Sequence, residues 1–227
     1  MKFLIIGLGN FGASVATELT SMGHEVIAVD LDTQKVESFK DDITSTICMN
    51  CSDEHALVAL PLKETDVAIV CIGEDFGSSI MATALLKKHK IKRLICRATS
   101  LMHESVLKSI GVDDIVFPEQ ETAIRLSRRL QLKGVVDSYQ ADDNHFIIKS
   151  YLPLAYDGLS IKEIDFGSYN LSFLSVLTAQ TVENIFGEKI KKYYVNTHKI
   201  NPDTKLTKDD LLMVYGKQKD IYNFFKI

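Results

Sequence analysis

The chain has 227 residues, 46% apolar and 25% charged, with a formal net charge of -4. That balance fills a sizeable core and leaves no electrostatic reason to expect nucleic acid or an anionic membrane surface as a partner. The length suits one large domain or, better, a domain of about 140 residues followed by a small one. No apolar run approaches the roughly 18–20 residues that span a bilayer. The opening FLIIGLG is too short for a signal-peptide core and runs straight into a structural motif. The expected location is cytoplasmic, with any membrane role coming through a partner.

In chain order, KFLIIG (2–7) is a continuous apolar run, as in a strand buried on both faces. Residues 11–22 carry Phe11, Val15, Leu19 and Met22 at helical spacing, and Gly23 ends that helix before EVIAVD returns as a strand. Asp32 can cap a short helix, TQKVESFK. ITSTIC is a β-branched strand, and Ser52 can cap SDEHALVAL, with Pro61 just beyond. DVAIVCIG is another buried strand. FGSSIMATALLKKHK reads as helix and KRLICRA as strand. Ser100 can cap LMHESVLKSI, which stops at Gly111. DDIVFP is a sixth strand and ETAIRLSRRLQL a sixth helix. This alternation predicts an α/β fold: a Rossmann-like, doubly wound parallel sheet of order 3-2-1-4-5-6, the order selected by a glycine fingerprint in the first unit.

After about residue 135 the character changes. Residues 135–144 are polar and aperiodic and read as a linker between a nucleotide-binding domain, 1–134, and a small α+β lobe, 145–227. In that lobe HFIIKSYL, LSFLSVLTA, KKYYVNT and DLLMVYG read as strands, and DGLSIKEID and KQKDIYNFF as short helices.

The four cysteines are Cys48, Cys51, Cys71 and Cys96. Cys71 and Cys96 lie inside apolar strands, where a thiol behaves as a small hydrophobe. Cys48 and Cys51 form a C-x-x-C, but no second C-x-x-C or C-x-x-H completes a zinc set. The expectation is a strand end followed by a loop.

The opening G-x-G-x-x-G is Gly7, Gly9 and Gly12; it follows a strand, opens a helix and precedes Asp30 at the end of the next strand. In that context it predicts a nucleotide site. Gly7 permits the tight turn, Gly9 lets a pyrophosphate approach the backbone, and Gly12 lets helix and strand pack closely. The helix start offers free N–H groups to phosphate. Asp30 can accept from ribose hydroxyls and would repel a 2′-phosphate. The ends of the next strands, 49–53, Ile72–Gly73 and Arg97, point to the same crevice by the switch-point rule. Arg97 can reach a phosphate or serve simply as a solvated strand-end arginine.

A dehydrogenase also needs a general acid or base facing the nicotinamide. His24 falls in a turn, and His55, His89 and His103 fall on helices among polar neighbours. His145 and His198 lack a spaced carboxylate to orient them. All six read as surface residues, so the chain looks more like a holder of nucleotide than a user of it.

IIGLGNFG, VIAVDLD, DVAIVCIG, FPE at the head of the sixth helix, and the closing D-T-x-L-x-x-D-D-x-L-x-V-x-G at 203–216 together resemble the regulator-of-conductance-of-potassium family, most of all its Trk/Ktr type. The resemblance covers nearly the whole chain. It implies soluble subunits that gate an integral-membrane potassium transporter from the inner face of the membrane. It also implies homodimers joined into an octameric ring, a crossover helix near 119–132, and ligands among NAD(H), ATP and ADP whose exchange reshapes the ring without catalysis. By position, the candidate ligand-binding residues are Gly7, Gly9, Asn10, Phe11, Gly12, Asp30, Leu31, Asp32, Asn50, Cys51, Ile72, Gly73 and Arg97. Asn50 and Cys51 fall near the adenosine. Glu119 matches a glutamate that in some relatives helps bind a cation at the dimer interface. Some relatives also bind cyclic di-AMP between paired C-terminal lobes, and Val176 and Pro202 are the matching positions. Asn10 stands where Ktr-type members often carry arginine, which weakens an ATP preference and leaves NAD, ADP or AMP open. Met49-Asn50-Cys51-Ser52-Asp53 replaces the family's G-D-A-[TS]-D, which leaves ligand identity open as well. A small NAD-dependent oxidoreductase and a ligand-free Rossmann scaffold are the competing readings.

Overall fold

The computed structural model describes residues 1–131, 134–183, 188–195 and 201–226. It divides into two compact units, Met1–Glu119 and Gln120–Ile227.

The first unit alternates β1 (Lys2–Ile6), α1 (Asn10–Ser21), β2 (Glu25–Asp30), α2 (Thr33–Ser38), β3 (Ser45–Cys48), α3 (Glu54–Leu57), β4 (Val67–Val70), α4 (Phe76–Lys88), β5 (Leu94–Arg97), α5 (Leu101–Ile110) and β6 (Asp114–Val116). The strands form one parallel sheet of order β3-β2-β1-β4-β5-β6, as the glycine fingerprint predicted. Its apolar runs feed both faces because side chains alternate along a strand. Leu4, Ile6, Ala68 and Val70 enter one core cluster, while Phe3, Ile5, Val67 and Ile69 enter the other. The strand order reverses between β1 and β4, which pair with register Ile6↔Val70. That leaves a crevice at the carboxyl ends of the strands.

Helix ends follow the capping residues. Asp32, Asp75 and Ser100 cap α2, α4 and α5, and Gly111 ends α5 at φ +83°. The third cap differs from the sequence expectation. Asp53 replaces Ser52, its carboxylate accepting from the His55 N–H at 2.9 Å, so α3 starts one residue later and is four residues long.

The second unit begins within α6 (Pro118–Gln131). It continues through β7 (Val135–Gln140), β8 (His145–Tyr151), three 3₁₀ turns at Leu154–Tyr156, Ile161–Glu163 and Gly167–Tyr169, β9 (Ser172–Glu183), β10 (Lys189–Val195), β11 (Leu211–Lys217) and α7 (Gln218–Phe225). The strands form one antiparallel sheet of order β10-β9-β11-β8-β7. The expected linker over 135–144 is corrected: Val135–Gln140 is the edge strand β7, paired with β8 through Ser138↔Ile148. An edge strand with one wet face carries few apolar residues, so its polarity disguised it. Only 141–144 turn, held by the Asp142 carboxylate accepting from the Asn144 and His145 N–H groups. The expected helix over 157–165 is a single 3₁₀ turn, closed by a reciprocal Ser160–Glu163 capping box. The end of the predicted strand 191–197 lies outside the described residues.

α6 groups mainly with this unit for a visible reason. Arg125 pairs with Asp137 at 2.9 Å, Arg128 donates to Gln140 at 2.9 Å, and the Arg128 guanidinium lies 4.6 Å from the centre of the Phe146 ring. The core of the unit combines aliphatic side chains of the sheet with an aromatic cluster. Phe224 is fully buried and lies within 5.5 Å of the rings of Tyr156, Phe166, Tyr169 and Phe225. Among the described residues no helix is long and apolar enough to cross a membrane.

Candidate functional site

The glycine turn between β1 and α1 is sterically over-determined. Gly7 has φ +99°, a backbone conformation that side chains rarely adopt. A Cβ at Gly12 would lie 1.9 Å from the Gly7 carbonyl oxygen, so no other residue closes this strand–helix contact. At Gly9 a Cβ would meet nothing within 4 Å, so its backbone faces open space.

The start of α1 sets it apart from its neighbours. α2, α3, α4 and α5 each have a side-chain oxygen bonded to a first-turn N–H. α1 begins at Gly9 with no side-chain cap and no acidic residue in its first turn. Its orphan N–H groups are therefore available to an external anion. That uncapped end above an over-tight glycine turn fits the phosphates of a nucleotide.

Asp30 is engaged by backbone through both carboxylate oxygens. One carboxylate oxygen accepts from the Leu8 N–H at 2.6 Å, inside the glycine turn, and the other from the Asp32 N–H at 2.9 Å. It ties the β1–α1 turn to the β2–α2 loop. Spacing could not reveal this wiring, because the bonds run to backbone.

The other expected residues divide between facing the crevice and supporting it. Asn10 is exposed at the first turn of α1, and Leu31 is 70% exposed at the end of β2. Asp32 is occupied by capping α2. Phe11 is half-buried against the core cluster beneath α1, so it supports the turn. Asn50 is exposed and its side-chain oxygen accepts from the Ser52 N–H at 2.9 Å, which shapes the 49–53 loop. Cys51 points into the core, so at that position the backbone rather than the thiol is left for a ligand. Burial, with a smaller contribution from the Asp30 charge, pushes the Cys51 thiol up to about 12 and keeps it protonated. Cys48 is exposed and lies 3.3 Å from the Thr33 hydroxyl. All four cysteines are free thiols.

On the β4 side, Ile72 and Gly73 pack beneath the turn; a Cβ at Gly7 would stand 3.1 Å from the Ile72 nitrogen. The Arg97 guanidinium lies over Gly73, where a Cβ would stand 2.4 Å from Nη1. Arg97 Nη2 donates to Glu119, the second residue of α6. Glu119, the expected cation ligand, is thus held against a guanidinium that would repel a cation. Among the described residues no group of three or more His, Cys, Asp or Glu could hold a metal ion.

Two readings of the histidines are corrected. His103 is buried, 1% exposed, because it turns into the core beneath Phe76, with ring centroids 4.9 Å apart. Its Nδ1 lies 3.3 Å from the Thr99 hydroxyl, and burial holds its pKa below the ordinary imidazole value. His145 does have an orienting carboxylate: Asp142, three residues earlier, meets Nδ1 at 2.9 Å because the hairpin turn folds it back. His24 is in a turn beside Phe3, as expected, and His89 meets Glu54 at 3.1 Å. His198 lies outside the described residues. In the second unit, Val176 is 1% exposed and belongs to the core, which removes its side chain from any ligand surface, while Pro202 is exposed. For Val176 the cause is its pairing with Leu212 of β11, which faces the core; beyond it a bulge in β9 pairs Met213 and Val214 with Ser175 and Phe173, leaving Leu174 as the extra residue. The bulge brings Phe173, opposite Val214, to the same core-facing side as Val176.

The TrkA-N domain description matches residues 3–118. The chain is 29% identical over 224 residues to Ktr system potassium uptake protein A of Bacillus subtilis (strain 168), covering 98% of this chain and 95% of that protein. It is also 29% identical over 233 residues to Ktr system potassium uptake protein A of Vibrio alginolyticus, covering 99% and 96%. Among solved structures, the GsuK channel bound to NAD superposes with a TM-score of 0.62 at 15% identity, covering 98% of this chain and 38% of that one. At that identity the superposition speaks for the fold alone.

Proposed function

The chain belongs to the TrkA-N domain family, and from that premise we propose that it is a nucleotide-binding regulatory subunit that gates a membrane potassium transporter through ligand-dependent conformational change. Similarity to Ktr potassium uptake proteins along nearly the whole chain supports the transport role. The observation that carries the nucleotide role is the uncapped N-terminus of α1 above the glycine turn, with Asp30 wired to that turn by the Leu8 N–H.

In this reading the phosphates sit on the free N–H groups at the start of α1, and Asp30 uses its remaining lone pairs for the ribose. Leu31 and the 49–53 loop flank the adenosine. The ligand is an adenine nucleotide or dinucleotide, ADP, ATP or NAD(H), and it is bound rather than consumed. A ligand shifts a conformational equilibrium only by its differential affinity for the two states. That difference arises at the phosphate end, near Asn10 and Arg97. The assembly is a homodimer built into an octameric ring, docked on the inner face of the membrane through the transporter subunit.

Mass spectrometry of nucleotide co-purifying with the protein, followed by calorimetric titration with ADP, ATP, NAD and NADH, tests this. Wild type is expected to bind at least one of them, and Asp30→Ala to bind it at least about tenfold more weakly. No binding of any by wild type ends the nucleotide reading. Turnover of a hydroxyacid or aldehyde with NAD would move it to the oxidoreductase reading.

A further inference from the structure

Arg97 joins the phosphate side of the crevice to the first turn of α6. The segment beneath its guanidinium, Cys71 to Gly73, packs directly under the glycine turn: a Cβ at Gly12 would lie 2.9 Å from the Cys71 Cβ. Nη1 donates to the Cys71 carbonyl at 3.5 Å, and Nε is buried with no partner. The side chain is 18% exposed, whereas that of its ion-pair partner Glu119 is 65% exposed. Among the described residues, the strand ends and loops that frame the crevice hold Asp30, Asp32, Asp53, Glu74 and Asp75 against Arg97 as the cation. Asn10 adds no charge. A phosphate arriving there meets a guanidinium already neutralised by a carboxylate.

We infer that Glu119 is an internal competitor for the nucleotide's phosphate at Arg97: it holds the guanidinium while the crevice is empty, and a bound terminal phosphate displaces it. This rests on the nucleotide reading above and names how that site is regulated. A partly buried guanidinium with one exposed, movable partner favours exchange of that partner for a phosphate, which binds a guanidinium in the same forked geometry. A terminal phosphate carries close to two negative charges near neutral pH. The bridging pyrophosphate of NAD carries one per phosphorus, so ADP is the stronger displacer. Displacement frees the Glu119 carboxylate in the first turn of α6, the helix that continues into the second unit and is tied there by Arg125 to Asp137 and Arg128 to Gln140.

The test is calorimetric titration of the full chain with ADP and with NAD, in wild type, Glu119→Gln, Arg97→Gln and the double variant. Glu119→Gln lies on the surface and is expected to fold normally, with thermal melting as the control. It is expected to bind ADP about twofold to fivefold more tightly than wild type, the range for removing one exposed ion-pair competitor. Its gain for NAD is smaller, and Arg97→Gln abolishes the gain in the double variant. Unchanged or weaker ADP binding by Glu119→Gln overturns the competition, as does a gain that survives Arg97→Gln. Weakening seen only with a divalent cation present, and lost with EDTA, overturns it and assigns Glu119 to a cation. Failure of wild type to bind either nucleotide removes the nucleotide reading itself, a different result from binding that Glu119→Gln leaves unchanged.

Discussion

The two units solve the same packing problem differently. The first spreads its core over many aliphatic side chains in two layers, one on each face of a parallel sheet, so each contributes a little and neighbours share the load. The second has one antiparallel sheet and adds to its aliphatic core an aromatic cluster in which Phe224 meets four other rings. Losing one methyl removes few contacts, whereas losing a ring that four others touch removes many at once. The rigidity needed for a ligand site in the first unit comes instead from backbone sterics at the glycine turn.

The sharpest way to break this contrast is at Phe224. Truncation to alanine removes the fully buried centre of the second unit and is expected to lower unfolding free energy by about 3–5 kcal/mol, measured by urea titration. A loss under 2 kcal/mol would mean that the aromatic cluster repacks. Next comes Gly12→Ala, whose new methyl group would overlap the Gly7 carbonyl. It is expected to cost about 1–3 kcal/mol and to abolish nucleotide binding, since relief of the overlap must move the turn. Full nucleotide affinity in that variant would contradict the over-determined turn. A smaller effect belongs to Ile5→Val, at a fully buried position of the distributed core. About 0.5–1.5 kcal/mol is expected, with nucleotide affinity unchanged.

The smallest expected effect sharpens the comparison through pH. Burial holds the His103 imidazole below its ordinary pKa, so the unfolded chain takes up a proton there while the folded one resists. That contribution is present at pH 7.5 and shrinks as pH falls through about 6.5, the unfolded imidazole value. Thermal melting between pH 7.5 and 5.5 should show a steeper decline for wild type than for His103→Gln. Parallel curves would remove His103 as the cause.

Much of the first unit was legible in advance because its signals are local. Continuous apolar runs mark strands buried on both faces, Asp32 and Ser100 mark helix starts, and Gly111 marks an end. The strand order followed from the glycine fingerprint. The second unit was less legible because its pairings are non-local and its strands are half wet. β7 passed for a linker since V-V-D-S-Y-Q shows neither a clean alternation nor an apolar run, and it becomes a strand only beside β8. Val176 illustrates the same limit: its facing is set by pairing with Leu212 on a distant strand.

At the site, the residue types and their spacing alone determined that a tight glycine turn and a carboxylate-ended second strand stand together, because that pattern is written in contiguous stretches. Only the tertiary structure decided how those groups are engaged. Asp30 is bonded to the amide of Leu8, Cys51 turns inward, His103 is buried beneath Phe76, and Arg97 is held by a glutamate 22 residues further on. Each of these depends on which side chains meet once distant segments pack, and a hydrogen bond or ion pair between segments leaves no period in the chain that carries it.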